Sequence, residues 1–154
     1  MSDVKNRIME ILGRPQLSSL ATITSDGKPW TRYVMIVADD GMTIRLATFV
    51  GARKVNQIAA NPEVHLTCGV TNPSEVIPYL QIQGTAVLKT DEATRHAFWD
   101  DMLKAIFDGP DDPKYGVIEV TPRAALLFSV GLAQFLPAEG HAGTVISPER
   151  TTAR

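Results

Sequence analysis

Two adjacent cations occupy an unusual place in the stretch "LATFVGARKVNQIAANPEV", which spans residues 46–64. Its first part predicts a strand that ends near a glycine, and the rest predicts a helix that begins with Arg53 and Lys54. A helix N-terminus carries partial positive charge, which disfavours each cation there by about 0.3–1 kcal/mol. An anion held between the two side chains would remove this cost, and helix starts commonly bind phosphate.

A third cation, Arg32, lies in an otherwise apolar strand and shares one face with Val34 and Ile36. A guanidinium at such a position needs a charged partner, an edge position or a path to water. It could also converge with Arg53 and Lys54 on one phosphate, because an arginine fork suits that group. The residue types alone favour solvated cations and a phosphate site about equally.

Other kinds of chemistry lack their sequence signatures. The histidines His65, His96 and His141 show no HxxxH or HxH spacing, so no metal site is predicted. Nucleophile-elbow, P-loop and Rossmann glycine motifs do not occur in the sequence. The single cysteine, Cys68, alternates with apolar strand residues and is expected to be a core thiol. No catalytic residue is assigned.

The composition limits the class of protein. The chain has 154 residues, enough for one domain with a sizeable core, and a net charge of −2. A general nucleic-acid binder would need a basic face, so nucleic acid is not an expected partner. No apolar run is long enough to span a membrane, and the N-terminus lacks a signal-peptide pattern. Together with the single cysteine, these features favour a cytoplasmic location.

The elements that would position the cations follow from the periodicity of the sequence. A short amphipathic helix is predicted over the first dozen residues, followed by a three-strand meander with Asp-Gly turns. Two more strands, "EVHLTCGV" and "YLQIQGTAVLK", follow the second helix, and Gly84 suggests a bulge or a close approach. Antiparallel strands with inserted helices predict a mainly β, α+β fold, a small closed or partly open barrel.

The C-terminal part predicts a third helix, two closing strands and a tail. Helical spacing of apolar residues predicts one amphipathic helix with Phe98, Trp99, Met102, Leu103 and Ile106 on its face. "KYGVIEVT" and "ALLFSV" predict two strands separated at Pro122. Residues 1–131 are interpreted as a single domain, and the small and polar residues of 132–154 predict a flexible C-terminal tail.

The run "RYVMIVADDGMTIRLATFVGARKVNQIAANPEV" resembles the pyridoxamine 5'-phosphate oxidase-like, FMN-binding split-barrel family. The similar features are an arginine-led strand, a D-G turn, a strand that ends in Thr, the "ARK" helix start and an "NP.V" stop. "YLQIQGTAVLKTDE" is similar to the family's next strand, and "GPDDPKYGVIEVTP" resembles its bacterial general-stress-protein branch. The resemblance implies a six-stranded antiparallel split β-barrel with peripheral helices.

The resemblance also implies a homodimer with two FMN molecules in the clefts between protomers. Arg53 and Lys54 would clamp the FMN phosphate, and Arg32 would join them or reach the ribityl chain. The backbone of Tyr33, Val34 and Met35 would run along the isoalloxazine edge. Thr48 and Phe49 would meet the phosphate end from the end of their strand, and Tyr79 and Gln81 would present side chains to the flavin.

Several positions depart from the family pattern. Ala52 stands where many members have Ser or Thr, so one phosphate hydroxyl donor is missing. Val37 stands where pyridoxamine phosphate oxidases have a Lys that helps to hold the substrate phosphate, and their C-terminal Trp and Arg-x-His elements are missing. Phe128 stands where the stress-protein branch tends to carry a Trp. Vitamin B6 oxidation is therefore not expected.

Four functions stay open. The favoured one is a flavin-dependent oxidoreductase that acts on a small or stress-related substrate, with NAD(P)H as a candidate electron donor. The alternatives are a non-catalytic flavin-binding stress protein, a deazaflavin-dependent reductase and a cofactor-free dimer. A deazaflavin cofactor carries a longer acidic tail, for which Arg45 is the only obvious spare cation.

Overall fold

The computed structural model describes residues 3–75, 78–129 and 132–137. Its helices are α1 (Asp3–Leu12), α2 (Arg53–Ala60) and α3 (Glu92–Phe98), and a 3₁₀ helix follows at Asp101–Ala105. The strands are β1 (Gln16–Ile23), β2 (Pro29–Ala38), β3 (Ile44–Phe49), β4 (Glu63–Cys68), β5 (Tyr79–Lys89), β6 (Tyr115–Ser129) and β7 (Leu132–Pro137). None of the helices described here has the length and apolar character needed to cross a membrane.

Six of the strands close into an antiparallel barrel. Their order around it is β3-β2-β1-β4-β5-β6, and β3 pairs with β6 to complete the ring. Closure gives β3 a hydrogen-bonding partner on each edge, which removes the open edges of a flat sheet. The predicted six-stranded antiparallel barrel with peripheral helices is confirmed.

Strand alternation fills the barrel with aliphatic side chains. Leu20, Leu66 and Ile82 are fully buried and form one row across β1, β4 and β5. Ile8 of α1 and Ile58 of α2 join the same core. Burial of each such side chain contributes about 1.5–3 kcal/mol. This core fixes which face of each strand points outward.

The single amphipathic helix predicted to run through Ile106 is wrong, because the chain forms two shorter helices there. α3 ends at Phe98, and a 3₁₀ helix begins after Asp100. The Asp100 carboxylate accepts a hydrogen bond from the Met102 amide at 2.8 Å. Asp100 therefore caps a new helix instead of continuing the first one.

The two predicted closing strands form one continuous strand, β6, so the predicted break at Pro122 is wrong. Gly84 of β5 pairs with Pro122, and a register shift next to this pair makes Arg123 the extra residue of a β-bulge. A Cβ added to Gly84 would lie 2.5 Å from the carbonyl oxygen of Thr121. The bulge and the close approach predicted at Gly84 are both confirmed, and the bulge accommodates a proline within the strand.

Regular structure continues past the predicted boundary at residue 131. β7 pairs with residues 124–129 of β6. Since β3 covers only residues 115–120 of β6, the rest of that edge is available for one more strand. The expectation of a flexible tail is therefore wrong for residues 132–137, while residues 138–154 lie outside the described part of the chain.

Candidate cofactor-binding site

Three cations meet at one end of the barrel, where the β1–β2 hairpin faces the start of α2. Arg32 projects from β2, and Arg53 and Lys54 form the first turn of α2. Burial lowers the pKa of the Arg32 guanidinium, and repulsion from Arg53 lowers it further. Burial also lowers the pKa of Lys54, with a smaller contribution from the charge of Arg32. Arg32 is therefore close enough to Arg53 and to Lys54 for its positive charge to repel both of theirs.

Arg32 is held by neutral oxygen atoms. Its Nη1 donates to the Thr22 hydroxyl at 2.6 Å and to the carbonyl oxygens of Trp30 and Leu20 at 3.0 and 3.1 Å. Its Nη2 donates to Oε1 of Gln57 at 3.0 Å. No carboxylate among the described residues forms an ion pair with it, so the guanidinium is fixed in direction while its charge stays uncompensated.

Thr22 and Gln57 complete this network, and sequence reasoning missed both. The Thr22 hydroxyl donates to Oε1 of Gln57 at 2.5 Å, and Thr22 is fully buried. Gln57 lies one turn after Arg53 in α2, so its amide oxygen ties the helix to the hairpin. The available signal was strand alternation, which places the polar Thr22 in the inward row of Leu20 on β1.

Lys54 has a half-buried side chain, and within residues 3–75, 78–129 and 132–137 its ammonium group makes no hydrogen bond or ion pair. Ala52 occupies the N-cap position of α2 and makes no side-chain cap hydrogen bond. No side chain therefore accepts from the first-turn amides. The Val55 amide donates to the Ala52 carbonyl oxygen at 2.9 Å, which leaves the amides of Arg53 and Lys54 as donors. An unpaired ammonium group and uncapped amides together form the donor set of an anion site.

Arg53 is exposed and is held by an aromatic ring. Its guanidinium carbon lies 4.6 Å from the ring centroid of Trp30, which is within the range of a cation–π interaction. Arg53 forms no ion pair with any residue that the structure describes. The ring therefore orients this cation without neutralising it.

Arg45 is not the spare cation that the sequence suggested. Its Nη1 donates to Asp39 and its Nε donates to Glu119, each at 2.7 Å. Hydrogen bonds to these two carboxylates raise the pKa of Arg45. Arg45 is therefore committed to ion pairs at the barrel surface, and its charge is already compensated.

An apolar surface follows the outside of the β1–β2 hairpin. Tyr33 and Met35 of β2 are 78% and 56% exposed, and Leu17 of β1 is 56% exposed. Leu17 pairs directly with Met35. We call this surface, defined by Leu17, Tyr33 and Met35, the β1–β2 face. Val34 points the other way and packs against the core, so only its backbone is available to this face.

Thr48 and Phe49 end β3 just before the turn into α2. The buried Thr48 hydroxyl donates to the carbonyl oxygen of Phe49 at 3.2 Å, and that oxygen also accepts from the Ala52 amide at 3.0 Å. The Phe49 ring packs against Phe107 with ring centroids 4.8 Å apart. These contacts set the turn that places the first turn of α2.

Tyr79 and Gln81 lie on the outer surface of β5. The register connects Gln81 through Thr67 and Ser19 to Tyr33. This path crosses three strand spacings, or about 14 Å. Within one protomer these two residues therefore share an outer surface with Tyr33 but are not brought to the three cations.

Among the residues that the structure describes, no group of three or more His, Cys, Asp or Glu side chains could hold a metal ion. His96 instead pairs with Asp111 at 2.6 Å. Burial raises the pKa of the Cys68 thiol to about 12, so the thiol stays protonated at neutral pH. Cys68 is buried in the barrel core, which confirms its predicted role as a core residue.

The family model for pyridoxamine 5'-phosphate oxidase matches residues 4–129. The chain belongs to this family. The match includes all six barrel strands, Arg32 of β2 and the two cations at the start of α2. The family resemblance of the sequence is therefore confirmed.

Relatives of this family member are named for different roles. General stress protein 26 from Bacillus subtilis (strain 168) is 31% identical over 129 residues, which cover 84% of this chain and 91% of the relative. The crystal structure of General Stress Protein 26 from Bacillus anthracis str. Sterne has a TM-score of 0.77 at 26% identity, covering 88% of this chain and 99% of that one. An F420 reductase structure has a TM-score of 0.60 at 26% identity, covering 76% and 94%. Because one fold carries several functions, the site itself must indicate the ligand.

Proposed function

We propose that this family member binds FMN, with the flavin phosphate at the first turn of α2. The observation that carries the proposal is the convergence of Arg32, Arg53 and Lys54 with no carboxylate partner in the described part of the chain. A phosphate group would supply the missing negative charge. The free ammonium group of Lys54 and the uncapped amides of α2 fit its oxygen atoms as donors.

Each cation has a distinct part in this proposal. Lys54 and the first-turn amides donate to the phosphate, and Arg53 donates from the side where it contacts Trp30. Arg32 keeps its Nε–H for the ribityl chain, because its Nη atoms already donate to protein oxygens. The backbone from Tyr33 to Met35 lies beside the isoalloxazine edge, where the apolar β1–β2 face excludes water.

FMN is favoured over a deazaflavin cofactor by the state of Arg45. A longer acidic tail requires further cations, and both carboxylate partners of Arg45 already lie at 2.7 Å. A deazaflavin cofactor is the second candidate, because an F420 reductase shares the fold of this chain.

The proposed cleft includes a second copy of the chain. Leu17, Tyr33 and Met35 form a contiguous exposed apolar surface, which is typical of a protein interface when a strand pair presents it. Tyr79 and Gln81 share this outer surface yet lie away from the cations of their own protomer. In a two-fold dimer they are placed to contact the flavin that is held by the other protomer.

The proposed activity is that of an oxidoreductase in the cytoplasm, acting on a small or stress-related substrate with NADH or NADPH as electron donor. Bound FMN supplies the electron and hydride transfer, while the protein orients the ring and shields it from water. Pyridoxamine phosphate oxidation is not proposed, since Val37 replaces the expected Lys. The 31% identity to General stress protein 26 supports a non-catalytic flavin-binding stress protein as the alternative.

The experiment that tests the cofactor is a titration of the flavin-free protein with FMN, followed by quenching of flavin fluorescence. Saturable binding of one FMN per protomer supports the proposal, and oxidation of NADH or NADPH by the loaded protein then separates the enzyme from the non-catalytic alternative. Binding of F420 without FMN would support the deazaflavin alternative. Binding of neither would contradict a flavin-type site.

A further inference from the structure

We propose that Trp30 positions Arg53 for the phosphate, and that it thereby makes the site select a phosphorylated flavin over the same flavin without phosphate. This inference rests on the proposed function and deepens it. Trp30 is a positioning residue here, because its ring acts on the ligand through Arg53.

Trp30 contacts two of the three cations. Its ring centroid lies 4.6 Å from the Arg53 guanidinium carbon, and its carbonyl oxygen accepts a hydrogen bond from Arg32 Nη1 at 3.0 Å. Trp30 lies near the start of β2 and pairs there with the buried Thr22 of β1, which gives the Trp30 backbone a fixed position. Trp30 nevertheless remains 47% exposed, so the ring and the exposed guanidinium that it contacts both lie where a ligand can reach them.

The Trp30 ring can order the Arg53 side chain without neutralising its charge, which a carboxylate could not do. Arg53 is exposed and is repelled by Arg32, so without a contact its side chain would sample many rotamers directed to water. A carboxylate partner would hold it but would also compete with the phosphate. The face of an indole ring attracts a guanidinium while leaving its charge available. The Arg53 side chain is then already ordered in the free protein, so little conformational entropy is lost when the ligand binds.

A double-mutant cycle tests this role directly. Trp30→Leu should weaken FMN binding by about two- to fivefold, as expected for one exposed cation–π contact, and should leave riboflavin affinity unchanged. In an Arg53→Met background the same Trp30→Leu change should have no effect on FMN affinity. Trp30→Phe, which keeps a ring face, should restore part of the loss.

A second readout needs no flavin. The chain contains two tryptophans, so a Trp99→Phe variant reports the fluorescence of Trp30 alone. In that background Arg53→Met should shift the emission of the flavin-free protein, whereas the control Arg123→Met, an exposed arginine beside the bulge, should not.

The outcomes separate the inference from the proposed function. Two results would overturn the role of Trp30 while leaving the proposed function intact. In the first, FMN binds but the effects of Trp30→Leu and Arg53→Met on its affinity are additive. In the second, Trp30→Leu lowers the affinities for FMN and riboflavin equally. A wild-type protein that binds neither flavin would overturn the proposed function and this inference with it.

Discussion

At the scale of single residues, the cations at the start of α2 lower the stability of the free protein. Lys54 is desolvated and repelled by Arg32, which lowers its pKa, and the helix dipole adds about 0.3–1 kcal/mol of unfavourable energy for a cation there. Gln57 holds Arg32 with a neutral oxygen at 3.0 Å, so the network contributes no negative charge. Uncompensated positive charges in a binding site make the free protein less stable, but they increase its affinity for an anion.

The lowered pKa of Lys54 predicts how pH acts on the site. As pH rises through this lowered value, Lys54 loses its charge, so FMN affinity should begin to fall below the ordinary lysine pKa of 10.5. Over the same interval the unfolded chain still binds the proton, so the free protein should become more stable as far as Lys54 is concerned. Titrations of FMN affinity and thermal melts of the free protein across this range measure both effects.

Lys54→Arg is the matched control for this pH dependence. It keeps the positive charge at the same position but does not titrate in that range. The fall in affinity should disappear in Lys54→Arg, and an unchanged fall would show that another group is responsible.

At the scale of elements, Gln57 joins α2 to the β1–β2 hairpin, and its neutrality should matter. Gln57→Glu would place a carboxylate against Arg32 and supply the partner that the described residues lack. FMN affinity should then fall about tenfold, or ~1.4 kcal/mol, without loss of thermal stability. Calorimetric titration and thermal melts measure the two effects.

Asn56→Glu is the control for this variant, because it adds the same charge at an exposed position of the same helix. Its FMN affinity should fall much less. Equal losses in both variants would show that only the net charge of α2 matters, which would contradict a specific role for Gln57.

The bulge between β5 and β6 is a second element-scale feature with a measurable consequence. Gly84→Ala would bring a Cβ within 2.5 Å of the Thr121 carbonyl oxygen, so the two strands would have to separate. The free energy of unfolding should fall by about 1–3 kcal/mol, as for other overpacked sites. Gly51→Ala has no atom within 4 Å of its added Cβ and should stay within ~0.5 kcal/mol of wild type in chemical denaturation. Equal stability of the two variants would contradict the close approach.

Elements were predictable from the sequence where local chemistry and packing agree. The alternation of apolar and polar residues predicted the barrel strands, and a glycine within a strand pattern, Gly84, predicted the bulge. The helix break at Asp100 and the continuity of β6 through Pro122 were missed, because a side-chain cap and a neighbouring strand overrode the local pattern. Arg53 and Lys54 were noticeable because they oppose the helix dipole. Thr22 and Gln57 were not, since their role appears only when the hairpin and α2 are brought together.

At the scale of the whole molecule, the β1–β2 face predicts a dimer. Leu17→Glu would place a charge on this face, opposite Met35, and should convert the predicted dimer to a monomer, because an unpaired buried charge is strongly unfavourable. Light scattering after gel filtration gives the mass of each variant. Val87→Glu is the control, since Val87 is a similarly exposed strand residue at 53% but lies outside the β1–β2 face. A monomeric wild type, or loss of the dimer in both variants, would contradict this assignment.

The central claim is that the first turn of α2 holds the phosphate of FMN, and the most direct test compares FMN with riboflavin on two proteins. In the double variant Arg53→Ala/Lys54→Ala, FMN binding should weaken by several kcal/mol, since charge-assisted hydrogen bonds contribute about 1.5–3 kcal/mol each. Riboflavin affinity, which involves no phosphate, should be nearly the same in the double variant and the wild type. A double variant that binds FMN as tightly as the wild type would show that the phosphate lies elsewhere.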